Sequence, residues 1–212
     1  MSFLFKYKCY IFALLVCPGF AFAMPSEQCK FHPFIKNGFN IQDYKRCATR
    51  IHQCPVKGIL PDNACVQKVI AEHPYCAQLA KISHVIGSDP SVVSAKEVGS
   101  GFVIIDQAFL ADGQNTYYLI SPKGCLIKTN RDPRDFSTAL KKQYPDTDFI
   151  IVNWGEPKLL HQADGDKQSF MTVLKITKGC LACELIGYAK IHFDFTTQGD
   201  LIKISVQKIE DE

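Results

Sequence analysis

An α+β fold is predicted, with a short disulfide-rich helical N-terminal part followed by a curved antiparallel β-sheet packed on one helix. Three observations predict it. Five of the ten cysteines fall between residues 29 and 76, among segments of helical periodicity. Beyond residue 97 the apolar residues recur at every second position in long runs. The turns between those runs are short, which makes successive strands antiparallel neighbours.

The chain opens with Lys6 and Lys8, an apolar run from Tyr10 to Phe20, and Ala21-Phe22-Ala23, a small-x-small pattern. This order predicts a signal peptide over residues 1–23, with Met24 as the mature N-terminus. The run is too short to span a bilayer and no later segment is longer, so no membrane span is expected after cleavage. Cleavage removes Lys6 and Lys8 and lowers the formal charge from +3 to +1. A nearly neutral chain without a basic run argues against nucleic acid as a partner, because phosphate neutralisation needs a basic excess.

Cleavage also removes Cys9 and Cys17. It leaves Cys29, Cys47, Cys54, Cys65, Cys76, Cys125, Cys180 and Cys183 as disulfide candidates, an even set in an oxidising space. Eight cysteines allow 105 pairings, and spacing does not select one.

Residues 24–86 read as a Cys-rich helical region. Tyr44, Cys47, Ala48 and Ile51 share one face of a helix over 41–51. Asp62 or Asn63 caps a second helix running to Glu72, with Cys65, Val66, Val69 and Ile70 turned inward, and a third helix is expected over 75–85. So short a region buries little apolar area, and cross-links compensate for the thin core. His32, His52, His73 and His84 are interspersed with these cysteines. No matched pair of closely spaced cysteines accompanies them, so neither a metal site nor a cofactor is expected.

Gly87 to Ser91 has linker composition, which sets a linker at 87–96 and an α+β antiparallel-sheet domain at 97–212. Strands are expected at 102–105, 116–120 and 125–129, then a helix from Pro133 to Tyr144 with Phe136, Ala139 and Leu140 on its apolar face. Strands at 149–152 and 158–161 precede three long alternating segments, 168–177, 184–196 and 201–209, joined by short turns.

The sharpest chemical pattern is Gly179-Cys180-Leu181-Ala182-Cys183, the only Cys-x-x-Cys in the chain. A redox thiol of this kind sits at a helix N-terminus, where the dipole lowers its pKa. Here the pair lies between two strand-like segments, so a brace across the hairpin is the favoured reading. His192 and Asp194 share the mixed face of one strand with Tyr188 and form an acid–base candidate; His161 with Asp164 or Asp166 is another. Trp154, the sole tryptophan, sits in a loop beside Gly155 and Pro157, where an exposed ring would serve as a binding anchor. No nucleophile elbow, metal helix or phosphate loop accompanies these residues.

The expected function is therefore that of an exported, disulfide-stabilised, non-catalytic binding protein, periplasmic or secreted. Its expected partner is another protein or an envelope macromolecule, met through Trp154, Tyr188 and His192. The alternatives are a thiol-disulfide redox protein using Cys180 and Cys183, and a small periplasmic hydrolase using His192 and Asp194.

Overall fold

The computed structural model describes residues 39–109, 114–145, 149–153, 155–163, 167–180 and 182–207. Helices and antiparallel sheets are both present, as an α+β fold requires. The helical layer comprises α1 (Ile41–Ile51), α2 (Asn63–Glu72) and α3 (Ala77–Ile86), with a two-stranded hairpin, β1 (Val56–Lys57) and β2 (Leu60–Pro61), between the first two. Asn40 starts α1 by accepting from the backbone N–H groups of Gln42 and Asp43 at 3.0 and 3.2 Å. The helix buries Ile41, Tyr44, Cys47 and Ile51. In α2 only Val66 is fully buried, and Cys65, Val69 and Ile70 pack at its edge. A 3₁₀ turn at Pro74–Cys76 precedes α3, which ends on Gly87 in the left-handed conformation, φ 69°.

The middle layer is a four-stranded antiparallel sheet in the order β3 (Val93–Val98), β4 (Phe102–Phe109), β5 (Gln114–Ile120), β6 (Leu126–Lys128). β3 lies mostly within the stretch read as a linker, because the polar residues Ser94, Lys96 and Glu97 conceal a strand that turns Val93 and Ala95 to the helical core and Val98 to the core between the sheets. The third layer comprises β7 (Phe149–Asn153), β8 (Lys158–Ala163), β9 (Lys167–Lys178), β10 (Leu185–Thr196) and β11 (Leu201–Val206). Its order is β11-β10-β9-β7, with β8 pairing the other half of β9.

Alternation along β4 and β5 explains the stacking. Val103, Ile105, Tyr118 and Ile120 face the helices and join Tyr44, Cys47, Leu79 and Ile82 in one core. Phe102, Ile104 and Leu119 face the larger sheet and meet Phe170, Leu174, Ile191, Phe193 and Phe195 in a second. Phe102 stands 4.9 Å from both Phe170 and Phe195, ring centre to ring centre. Where the two sheets meet at their ends, Gly199 (φ 90°) lets the β10–β11 turn approach Pro122; a Cβ there would lie 2.7 Å from the proline ring.

The apolar face of the larger sheet is thus covered chiefly by another sheet, and neither sheet is strongly curled. The single covering helix expected over 133–144 divides into a 3₁₀ turn, Pro133–Phe136, and the short α4 (Thr138–Gln143). The division follows from two caps in succession. Asp132 accepts from the Arg134 N–H, and extended Ser137 accepts from the Leu140 N–H at 3.3 Å. α4 covers only one end of the sheet, with Leu140 against Ile176 and Ala189.

Candidate functional site

The β1–β2 hairpin forms a braced finger. Gly58 has φ 75° at the first central position of its two-residue turn and Ile59 does not have positive φ, the pattern of a type II′ turn. Cys54 and Cys65 close a disulfide across the base of the hairpin. Lys57 Nζ binds Asp62 Oδ1 at 3.0 Å, and the Asp62 N–H donates to the Pro55 carbonyl at 2.7 Å. That ion pair takes the carboxylate expected to cap α2, which makes no side-chain cap bond. Held in this way are Val56 and Ile59, 68% and 78% exposed, the two most exposed large aliphatic side chains among the described residues.

Beside the finger lies an open cleft of about 430 Å³, within the range of ligand sites. Leu60 and Pro61 form one wall, Val92 and Val93 the other, with Tyr44 and Asp106 also lining it. The Tyr44 hydroxyl donates to the Val93 carbonyl at 3.1 Å and receives the Ala95 N–H, so the phenol satisfies backbone groups of the edge strand β3. Burial pushes the Tyr44 hydroxyl above its ordinary pKa, the Ala95 N–H opposes this, and the charge of Asp106 adds to it. Asp106 is raised as well, first by burial and also by Glu156, while the hydrogen bond from Asn115 (3.0 Å) pulls the other way. Glu156 in turn pairs with Lys96 at 2.9 Å.

Cys180 and Cys183 form a disulfide at the exposed tip of the β9–β10 hairpin. The hairpin is closed beneath them by the Lys178 N–H on the Glu184 carbonyl at 3.0 Å. Cys180 follows Gly179 (φ 79°) in a bend, so no helix dipole reaches its sulfur. Cys47 pairs with Cys76, both fully buried. Cys125 is also disulfide-bonded, and its partner is none of these six; Cys29 lies outside the described residues.

Tyr188, His192 and Asp194 do share one face of β10. Asp194 accepts from Ser169 Oγ at 2.7 Å, and His192 stands opposite Met171 and Ser205. His192 Nε2 is buried without a hydrogen-bond partner among the described residues. A Ser-His-Asp relay needs the imidazole between hydroxyl and carboxylate; here the hydroxyl reaches the carboxylate directly. Trp154, Asp164 and Asp166 lie outside the described residues, and for His161 only the backbone is described. Among the described residues no group of histidine, cysteine and carboxylate side chains could hold a metal ion, and no helix is long and apolar enough to cross a membrane.

The finger and Asp106 were not singled out from sequence. The signal available was Val56-Lys57-Gly58-Ile59-Leu60-Pro61 enclosed by Cys54 and Cys65, a turn with aliphatic residues on both sides. Comparison with protein-family models, curated proteins and solved structures gave no match.

Proposed function

We propose that the chain is an exported, disulfide-stabilised, non-catalytic protein that binds another protein through the β1–β2 finger and the adjoining cleft. The observation that carries this reading is the display of Val56 and Ile59 on a hairpin fixed by a disulfide and an ion pair. Exposed aliphatic groups held in one geometry lose little entropy on docking, so more of their burial is available as affinity. The three disulfides fit an oxidising compartment, periplasmic or extracellular.

The test places a photo-crosslinking residue at position 59 in the exported protein, with Gln67 on exposed α2 as the control position. A discrete adduct from 59, absent from 67 and lost in the Val56→Asn background, is the expected result. Recovery of the protein uncleaved and with reduced cysteines would overturn export, and equal adducts from both positions would overturn the finger.

A second reading rests on the exposure of Cys180–Cys183 beside two disulfides that lie mostly inside the helical core. Exposure lets a partner dithiol attack, giving a mixed disulfide and then a reduced Cys180/Cys183 pair with the partner oxidised. Repeated oxidation of a dithiol substrate with glutathione disulfide supplied to re-oxidise the Cys180/Cys183 pair, lost in Cys180→Ser, would establish this reading over the non-catalytic one.

A further inference from the structure

The finger and the cleft form one continuous surface, since Val56 and Ile59 also line the cleft. Its walls are aliphatic, Leu60 and Pro61 on one side and Val92 and Val93 on the other, and Asp106 is the only acid among the described residues that line it. Asp106 is held on an inner strand, where register sets it opposite Ser94 of β3 and Tyr117 of β5. Its carboxylate is short of partners. Asn115 donates to Oδ2 at 3.0 Å, while Oδ1 is buried without a hydrogen-bond partner among the described residues. A carboxylate offers about four acceptor sites, so most of this one's capacity is unused.

The counter-charge is missing as well. Among the described residues Asp106 makes no ion pair. The lysines on the adjoining segments are already engaged, Lys57 by Asp62 at 3.0 Å and Lys96 by Glu156 at 2.9 Å. Burial raises the Asp106 carboxyl, and the charge of Glu156 adds to this; a cation beside it offsets both effects. An acid fixed on a strand and lacking a counter-charge is complementary to a cation. Aliphatic walls leading to it are complementary to a hydrocarbon stem that carries one.

We propose that the cleft takes a lysine side chain of the docked protein, its stem along Leu60, Pro61, Val92 and Val93 and its ammonium group on Asp106. The inference rests on the reading that this surface receives a protein. Lysine has both parts, a flexible alkyl stem and a point charge. Arginine fits less well, because its planar fork binds a carboxylate through both oxygens and Oδ1 is buried.

The test is amide NMR of the isotope-labelled folded protein, titrated with butylammonium, which reproduces the lysine stem and head group, and in parallel with 1-butanol and propylguanidinium. Saturable shifts at Val92, Ser94, Asp106 and Ala108 are expected. Butylammonium should bind about tenfold more tightly than 1-butanol, the worth of one hydrogen bond to a charged group, and more tightly than propylguanidinium. Asp106→Asn should remain folded, keep 1-butanol binding and lose the preference for the amine. Glu97→Gln removes an exposed acid of β3 outside the cleft and should keep that preference. Saturating butylammonium, but not 1-butanol at the same concentration, should also suppress the adduct formed from position 59.

Equal binding of butylammonium and 1-butanol by the parent, a preference that survives Asp106→Asn, or tighter binding of propylguanidinium overturns the proposal. The adduct is read separately. An adduct that butylammonium does not reduce strikes the lysine and leaves the finger; an amine preference without any adduct strikes the finger and supports the ammonium site in the cleft.

Discussion

At the scale of single residues, Tyr44 does the most specific work. An edge strand leaves backbone groups that need partners, and here one phenol hydroxyl serves the Val93 carbonyl and the Ala95 N–H while its ring fills the helix–sheet core. Tyr44→Phe keeps the ring and removes the hydroxyl. A loss of about 1–2 kcal/mol is expected in urea unfolding, the cost of leaving a buried acceptor unpaired. Two aspartates should show opposite responses to pH. Burial alone would raise the Asp132 carboxyl, but hydrogen bonds from the Arg134 side chain and N–H, with its charge, hold it below the ordinary range. A lowered folded-state pKa gives stability that is present above the unfolded value and lost as pH falls through the folded one. Asp106, raised, favours folding when protonated, and that contribution is lost as pH rises through its folded pKa. Asp132→Asn should therefore destabilise at pH 7 and converge on the parent in acid. Asp106→Asn should be at least as stable as the parent at pH 7, with that advantage shrinking in acid. Urea midpoints across pH 2–7 separate the two, and parallel curves would contradict both assignments.

At the scale of elements, the disulfides differ in what they constrain. In the chain-entropy description Cys47–Cys76 contributes about 4 kcal/mol, Cys54–Cys65 about 3 and Cys180–Cys183 about 2, because the enclosed loops shorten in that order; the sequence separations are 29, 11 and 3. Removing the hairpin-tip bond with paired serine substitutions should thus lower the melting temperature least. Stepwise reduction should open that exposed bond first, with the bonds in the helical layer following. Peptide mapping of the mature chain should also find Cys125 joined to Cys29, the single cysteine that expected cleavage leaves over once six have paired among themselves. A bond from Cys125 to Cys9 or Cys17 would show that the cleavage expected after Ala23 does not occur. The elements most legible in the sequence were those with a strong period. α1 was readable from Tyr44, Cys47 and Ile51, and the long strands β9 and β10 from strict alternation. β3 was hidden because an edge strand whose apolar residues, Val93, Ala95 and Val98, do not keep one alternation has scarcely any period to read. The helix over 133–144 was overextended because a second capping residue, Ser137, lies inside one apolar pattern that Asp132 already caps at its start. The exposed finger was illegible for a related reason: Val56 and Ile59 look like core residues until the disulfide between Cys54 and Cys65 is known.

At the scale of the whole molecule, the middle sheet couples everything else. β4 gives Val103 and Ile105 to the helical core and Phe102 and Ile104 to the core between the sheets, so neighbouring residues of one strand belong to different cores. Neither core keeps its shape if that strand is lost. The helical region over 24–86 and the sheet region over 97–212 differ in sequence texture, yet this sharing predicts that they unfold together in one cooperative transition. Ile104→Ala and Ile105→Ala provide the comparison. Both side chains are nearly fully buried, at 2% and 1% exposure, and each truncation should cost about 2–5 kcal/mol. If the sheet couples the layers, each variant shifts the far-ultraviolet and near-ultraviolet dichroism midpoints by the same amount, and a single transition remains in calorimetry. If the regions were independent, Ile105→Ala would melt the helical layer early and leave the β-sheet signal at its original midpoint.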